Sequence, residues 1–315
     1  MNQAEANALM EGVYQLDTTR WLTHLGWNTF EWQRAVLRDR STRLCINGAR
    51  QAGKSTIISS KACHMAKYRK GSLTVILAPT QKQSQEDMEK ISSFLQRDPQ
   101  YPERLKNNSE ELKLGNGSRI LVLTASDDAA RGFSNPDLII FDEASRIDDS
   151  VYDAVRPMIT NNLDAVIVEI STPNGKKGFF YNHFHSPSWT RYEVRCPWDY
   201  VRTSSLPTLR RTAYKGAPGV HFYFSDRHFN FEEQMEVIRG GMGGHGMSER
   251  KYRQEYCCEF VEAESQVFAN ELIDSLYSDD EIRPFDESVD ELMDMGGGEP
   301  NAMAFPSFDE WEGRA

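Results

Sequence analysis

The 315-residue sequence predicts an α/β fold, a mainly parallel central sheet flanked by helices, with a small C-terminal subregion and an acidic tail. Two observations carry that expectation. Through roughly the first 175 residues, short apolar clusters alternate with polar, helix-like segments, the pattern of strands joined by crossover helices. One of the strand-to-helix junctions is also glycine-bearing and ends in Lys-Ser-Thr. The strand candidates are Leu44 to Ile46, Leu73 to Ala78, Ile120 to Thr124, Leu138 to Phe141 and Ala165 to Ser171. Each is a short Val, Ile or Leu run, as strands buried on both faces require. Helices are expected between them, over Lys54 to Tyr68, Gln81 to Leu95 and Ser150 to Ile159. After Gly178 the texture changes to aromatic-rich pieces, GFFYNHF, YEVRCPW and VHFYFSD, and then a helical stretch around Ser248 to Tyr256. The glycine-rich run at 239–246 reads as a loop, because it lacks the preceding strand that a phosphate loop needs.

Composition bounds the function classes. With 39% hydrophobic and 11% aromatic residues the chain can bury a full core, which excludes a disordered polypeptide. No stretch approaches the roughly 18 apolar residues of a membrane span, and the N-terminus lacks the basic and apolar regions of a signal peptide. The expectation is a cytoplasmic protein, neither secreted nor membrane-bound. Cys45, Cys63, Cys196, Cys257 and Cys258 include no CxxC pair and no zinc-ligand spacing, so they are expected reduced and buried. Cys257 and Cys258 are expected on opposite faces of a strand, which disfavours a mutual disulfide.

The formal charge of −11 is unevenly placed. From Glu259 onward there are 17 acidic and two basic residues, a net of −15, which leaves 30 acidic and 34 basic residues in 1–258, a net of +4. The body can therefore meet phosphates despite the acidic sum. The tail is expected to be solvated and partly disordered, or else an acidic docking peptide anchored by Phe305, Phe308 and Trp311.

The chemistry starts at LCINGARQAGKST, which matches GxxxxGK[ST] with Gly48, Gly53, Lys54 and Ser55. The intervening Ala49, Arg50, Gln51 and Ala52, with Thr56 just beyond, complete the cradle. Curled backbone N–H groups and the positive end of a new helix suit the β and γ phosphates of a nucleotide. Lys54 supplies a point charge to those oxygens, and Ser55 a hydroxyl to Mg2+. Arg50 is placed to reach phosphate or a neighbouring carboxylate. At 88 residues beyond Lys54, DLIIFDEAS sets Asp142 and Glu143 at the end of an apolar strand, the end that faces a nucleotide in a parallel sheet. Asp142 is expected to hold Mg2+ through its water shell and Glu143 to orient and deprotonate the attacking water. Arg131, 11 residues before Asp142, reads equally as a γ-phosphate arginine, a surface arginine or a DNA phosphate contact. In ISTPNG, Ser171 and Thr172 beside Pro173, Asn174 and Gly175 suit either a γ-phosphate sensor or an ordinary turn.

Taken in order, TFEWQRAVL, GARQAGKST, RGFSNPDLIIFDEAS and ISTPNG resemble the P-loop ATPase domain of viral, bacteriophage-type large terminase subunits over roughly residues 20–270. That resemblance implies ATP and Mg2+ as cofactors and a motor that packages double-stranded DNA into procapsids in the host cytoplasm. It implies Gln33 as a reader of the adenine edge, which the sequence alone would also allow as a polar residue on an amphipathic helix. It further implies Ser171 and Thr172 as the element coupling hydrolysis to DNA movement, and Arg131 as an arginine offered to a neighbouring subunit. The partners implied are duplex DNA, further copies of the chain in a ring, a portal and a small terminase subunit. The stretch Glu255 to Phe268 resembles the end of the family's ATPase region, where a nuclease domain usually follows. Only 47 residues follow Phe268, so no nuclease activity is expected here, and a separate nuclease subunit would do any cutting. The domain expectation is 1–270 as motor domain, with 179–270 as its C-terminal subregion, and 271–315 as tail. Two alternatives share these motifs: a helicase-type DNA-dependent ATPase and a nucleotide-gated scaffold for a nuclease.

Overall fold

The computed structural model describes residues 2–126, 132–159, 162, 164–203, 206–225, 231–240 and 246–262. The acidic tail, most of the glycine-rich run and Arg131 lie outside the described residues. Three helices come first, α1 (Gln3–Leu16), α2 (Thr18–His24) and α3 (Glu31–Arg38). The αβ alternation follows as β1 (Arg43–Gly48), α4 (Lys54–Tyr68), β2 (Leu73–Ala78), α5 (Gln81–Arg97), β3 (Arg104–Asn107), β4 (Glu111–Leu114), β5 (Arg119–Thr124), β6 (Leu138–Asp142), α6 (Asp149–Val155), β7 (Val166–Ser171) and α7 (Gly178–His185). The last part holds β8 (Thr190–Arg195), β9 (Trp198–Thr203), β10 (Leu206–Arg211), β11 (Val220–Phe224), α8 (Phe231–Arg239) and α9 (Glu249–Glu255).

Nine strands form one sheet in the order β11-β8-β1-β7-β6-β2-β5-β4-β3. From β11 through β5 every neighbouring pair is parallel, and β4 and β3 close that edge as an antiparallel hairpin. Side-chain alternation divides the core between the two faces. Leu44, Ile46, Ile76, Ile140, Val168 and Ile170 pack with Trp21, Trp32 and the buried face of α4. The intervening Cys45, Val75, Leu77, Ile139, Phe141 and Ile167 pack with Phe179 and Phe180 of α7. Both faces being covered explains why these strands read as continuous apolar runs.

The expected strands and helices are present, with physical differences at three places. The helix expected over Ser150 to Ile159 stays α-helical only to Val155 and continues as a 3-10 turn over Arg156–Ile159. Pro157 lacks the N–H that an α-helical ladder would use there. The aromatic-rich pieces supply β8 and β11, which extend the parallel sheet beyond β1. Cys257 and Cys258 are not in a strand: they lie in the turn after α9, where Cys258 takes a left-handed φ of 57°. All five cysteines are free and buried, so the expectation of reduced core thiols holds. A smaller core of Cys196, Leu209, Met235, Ile238, Tyr252 and Cys257 binds the β9-β10 hairpin to α8 and α9.

Candidate nucleotide site

Strand register assembles the site. β7 lies between β1 and β6, with Asn47 opposite Ser171, and Ile170 opposite both Ile46 and Asp142. The carboxyl ends of three strands therefore present the glycine loop, the Ser171 and Thr172 hydroxyls and the acidic pair along one edge. A cavity of about 710 Å3 opens there, with Lys54, Ser55, Thr56, Glu143 and Thr172 on its walls.

The loop from Gly48 to Lys54 depends on its two motif glycines. Gly53 adopts φ +96°, a left-handed geometry that side chains disfavour, and an added Cβ would lie 2.8 Å from Nε2 of Gln33. At Gly48 an added Cβ would press on the Lys54 stem at 3.2 Å. Lys54 is only 8% exposed. Its Nζ donates to the carbonyls of Gly48 and Ala49 at 3.0 and 3.3 Å, and lies 3.9 Å from Oε1 of Glu143. The N–H groups of Ala49 and Arg50 donate to the Val194 and Glu255 carbonyls, which ties the first half of the loop to the C-terminal elements. The first turn of α4, from Lys54 through Thr56, supplies helix-terminal N–H groups and the positive dipole end.

Glu143 follows β6 in a left-handed conformation, φ 47°. Such geometry costs a non-glycine residue about 1 kcal/mol or more and recurs at functional sites. Its Oε2 accepts from the Ser171 hydroxyl at 3.2 Å and the Thr172 hydroxyl at 3.4 Å. Ser171 Oγ also lies 2.8 Å from Ser145 Oγ and 2.7 Å from the Thr172 carbonyl, while Ser145 Oγ donates to that carbonyl at 2.7 Å. One hydroxyl proton on Ser171 therefore chooses between the Glu143 carboxylate and the carbonyl of the next residue, Thr172.

Gln33 is 2% exposed and holds the loop. Its Oε1 accepts from the Phe30 N–H at 2.9 Å and its Nε2 donates to the Gly53 carbonyl at 3.0 Å. Arg50 reaches a carboxylate, with NH1 at 3.7 Å from Oε2 of Glu255. The other Glu255 oxygen lies 3.7 Å from Arg146, whose Nε is 4.0 Å from Glu143. Arg146 and Glu255 line the site, and Asp87 lies behind it beside Asp142, none of them singled out in the sequence. Asp87 and Glu255 sit on helices distant in sequence from the motifs. A polar stripe on α5, spaced three or four residues apart, was the one signal that could have found Asp87.

The oxygen chemistry fits Mg2+. Burial, then the charges of Asp87 and Glu143, hold the Asp142 carboxyl well above the usual carboxylate range against the pull of Lys54. Burial likewise pushes Asp87 up to about 6, with Lys90 pulling the other way. Oδ2 of Asp87 is buried with no hydrogen-bond partner. Carboxylates crowded in this way are relieved by a hard cation. No group of three or more His, Cys, Asp or Glu among the described residues forms a metal cage. Mg2+ suits such a place, because it is commonly held by one or two carboxylates, waters and substrate phosphates.

A second cavity of about 540 Å3 adjoins this one, lined by Arg50, Arg146, Lys177, Arg250 and Lys251 against the single carboxylate Glu255. No described helix is long and apolar enough to cross a membrane.

The fold has counterparts among solved structures. The large terminase ATPase domain of Thermus phage P74-26 matches with a TM-score of 0.52 and 23% identity, covering 77% of this chain and 98% of that one. An arginine-to-alanine variant of the same domain matches with a TM-score of 0.53 and 22% identity over the same shares. At that identity the likeness shows the fold. The family itself comes from the sequence model described as terminase large subunit, T4likevirus-type, N-terminal, which matches residues 45–275. Membership supports a role in phage DNA packaging. Glycine loop, acidic strand end and the Ser171–Thr172 pair all fall inside the matched span, and the chain belongs to the terminase large-subunit family.

Proposed function

We propose that this chain is the ATP-hydrolysing motor that drives double-stranded DNA into a procapsid, working as a homo-oligomer. The observation that carries the reading is the contact of the Ser171 and Thr172 hydroxyls with the Glu143 carboxylate at the mouth of the phosphate loop. A nucleotide-gated scaffold has no need of a carboxylate held ready for a water molecule.

In this reading Glu143 accepts a proton from water, the water oxygen attacks the γ-phosphorus, and the bond from that phosphorus to the β-γ bridging oxygen breaks. Lys54, with its ammonium already within the loop, offers its charge to the β and γ oxygens. Ser55 and Asp142 would hold Mg2+, which when bound neutralises charge on the phosphates. The Ser171 hydroxyl changes its acceptor as the charge beside Glu143 changes, so strand β7 registers hydrolysis. Thr56 and the loop residues Gly48 to Gly53 position the nucleotide. The basic second cavity, contiguous through Arg50 and Arg146, supports a phosphate-rich partner, and duplex DNA is the one that family membership favours. A portal and a small terminase subunit as protein partners, and Arg131 offered to a neighbouring copy's nucleotide, are part of the same proposal.

The test is MgATP hydrolysis by the purified chain over a protein-concentration series, with and without duplex DNA. Glu143→Gln is expected to keep ATP binding and lose roughly 100-fold or more in turnover. Turnover unchanged in that variant would refute the role of Glu143.

A further inference from the structure

Helix α5 crosses the site with a polar stripe. Its N-cap Thr80, then Gln83, Lys90 and Ser93, line the nucleotide cavity, and Asp87 occupies the same face between Gln83 and Lys90. The rest of the buried surface of α5 is mostly apolar, with Met88, Ile91, Phe94 and Leu95 packed in the core. Asp87 is 1% exposed. Its Oδ1 lies 3.7 Å from Nζ of Lys90, a side chain that itself opens onto the cavity. Its Oδ2 has no hydrogen-bond partner, and its carboxyl reaches that of Asp142.

That arrangement is costly if it only fills space. A buried carboxylate with an unpartnered oxygen beside a second carboxylate is worse than an apolar residue of the same size. Two lysines relieve it in part: Lys54 pulls on Asp142 while its ammonium also bonds the carbonyls of Gly48 and Ala49, and Lys90 reaches only Oδ1 of Asp87, at 3.7 Å. Asp87 Oδ2 still has no partner, and a cation entering the cavity with the nucleotide would supply the charge it lacks.

We propose that Asp87 is a second carboxylate of the divalent-cation site, a positioning residue that bonds the cation's water shell beside Asp142 and thereby sets the Mg2+ affinity. The proposal rests on the MgATP reading above. Asp87 touches no nucleotide atom: it acts on the cation and on the orientation of Asp142.

The experiment is a Mg2+ titration of the binding of a fluorescent, non-hydrolysable ATP analogue to the full chain, for wild type, Asp87→Asn and Asp87→Ser, with Mn2+ binding followed separately by electron paramagnetic resonance. Both variants are expected to keep the metal-free nucleotide affinity and to need roughly 10-fold more Mg2+ for half-maximal tightening, with a matching loss of Mn2+ affinity. Asp87→Asn preserves shape, and Asp87→Ser relieves packing, so one of them folding suffices. Mg2+ and Mn2+ responses equal to or stronger than wild type in either folded variant would overturn the proposal. A wild-type chain that binds the analogue with no response to Mg2+ would instead overturn the MgATP reading.

Discussion

Replacing Gln33 separates two roles for one amide. The family resemblance makes Gln33 a reader of the adenine edge, whereas its contacts make it a brace between α3 and the phosphate loop. Gln33→Ala deletes the 2.9 Å bond from the Phe30 N–H and the 3.0 Å bond to the Gly53 carbonyl. Each bond contributes about 1 kcal/mol, and a partner left dry costs up to about 3, so the loss should be about 2–4 kcal/mol of stability. Gly53 depends on that brace to hold its left-handed turn. If the binding-competent loop falls to about a tenth of its population, apparent nucleotide affinity falls about tenfold, for ATP and GTP alike. Gln33→Glu keeps the acceptor toward Phe30 but sets an oxygen against the Gly53 carbonyl, and should also destabilise. Urea unfolding combined with ATP and GTP binding reads both effects. Stability unchanged within about 0.5 kcal/mol, with ATP affinity lost and GTP affinity kept, would refute the brace and favour the adenine reader.

Two further outcomes follow from the same geometry. Ser171→Ala removes the 3.2 Å hydroxyl contact to Glu143 together with the link to Ser145, and should lower kcat roughly 10- to 100-fold with little change in KM, more than Thr172→Ala, whose contact is 3.4 Å. Steady-state kinetics giving the two variants wild-type kcat would sink the coupling assignment. Two residues before Ser171 on β7, burial pushes the Glu169 carboxyl up to about 7 although the hydrogen bond with His183, Nδ1 at 2.7 Å, pulls it down. A carboxyl raised in the folded state keeps a proton that the unfolded chain has lost, so its contribution to stability declines as pH rises from the ordinary value of 4.5 to about 7, then levels. Glu169→Gln should flatten that part of the decline, measured as urea midpoints between about pH 5 and pH 8. Parallel wild-type and variant curves would contradict it.

Much of this fold was legible because it is local. The run Leu73–Ala78 and the helix Lys54–Tyr68 were readable to the residue, since an apolar run between polar boundaries and a glycine before a helix carry their own bounds. β8 and β11 were not, because YEVRCPW and VHFYFSD become strands only by pairing in the sheet, with Leu44 opposite Thr190. The same divide runs through the site. Lys54, Ser55, Asp142 and Glu143 announce themselves by spacing. Glu255 acquires meaning only when α9 sets its backbone carbonyl on the Arg50 N–H at 2.7 Å and its carboxylate between two arginines. On sequence alone it is one more acid on a short polar helix.

In the proposed motor, the position of β7 would let phosphate chemistry and mechanical output share few atoms. A strand inserted between the glycine-loop strand and the acidic strand is hydrogen-bonded to both along its length. Its last residue, Ser171, therefore sits within reach of Glu143, and Thr172 leads directly into Pro173, Asn174 and Gly175, of which Gly175 has φ +83°. Pro173 stiffens that exit, and a glycine in the left-handed region lets the chain turn sharply at its end. Asn174 donates back to the Ser145 carbonyl at 3.4 Å, and Lys177 beyond it lines the basic cavity. On the proposed reading, a change of acceptor at the Ser171 hydroxyl would pass through this short segment to the basic cavity. An added flexible residue between Thr172 and Lys177 should leave the Glu143 contacts in place and uncouple that surface from hydrolysis.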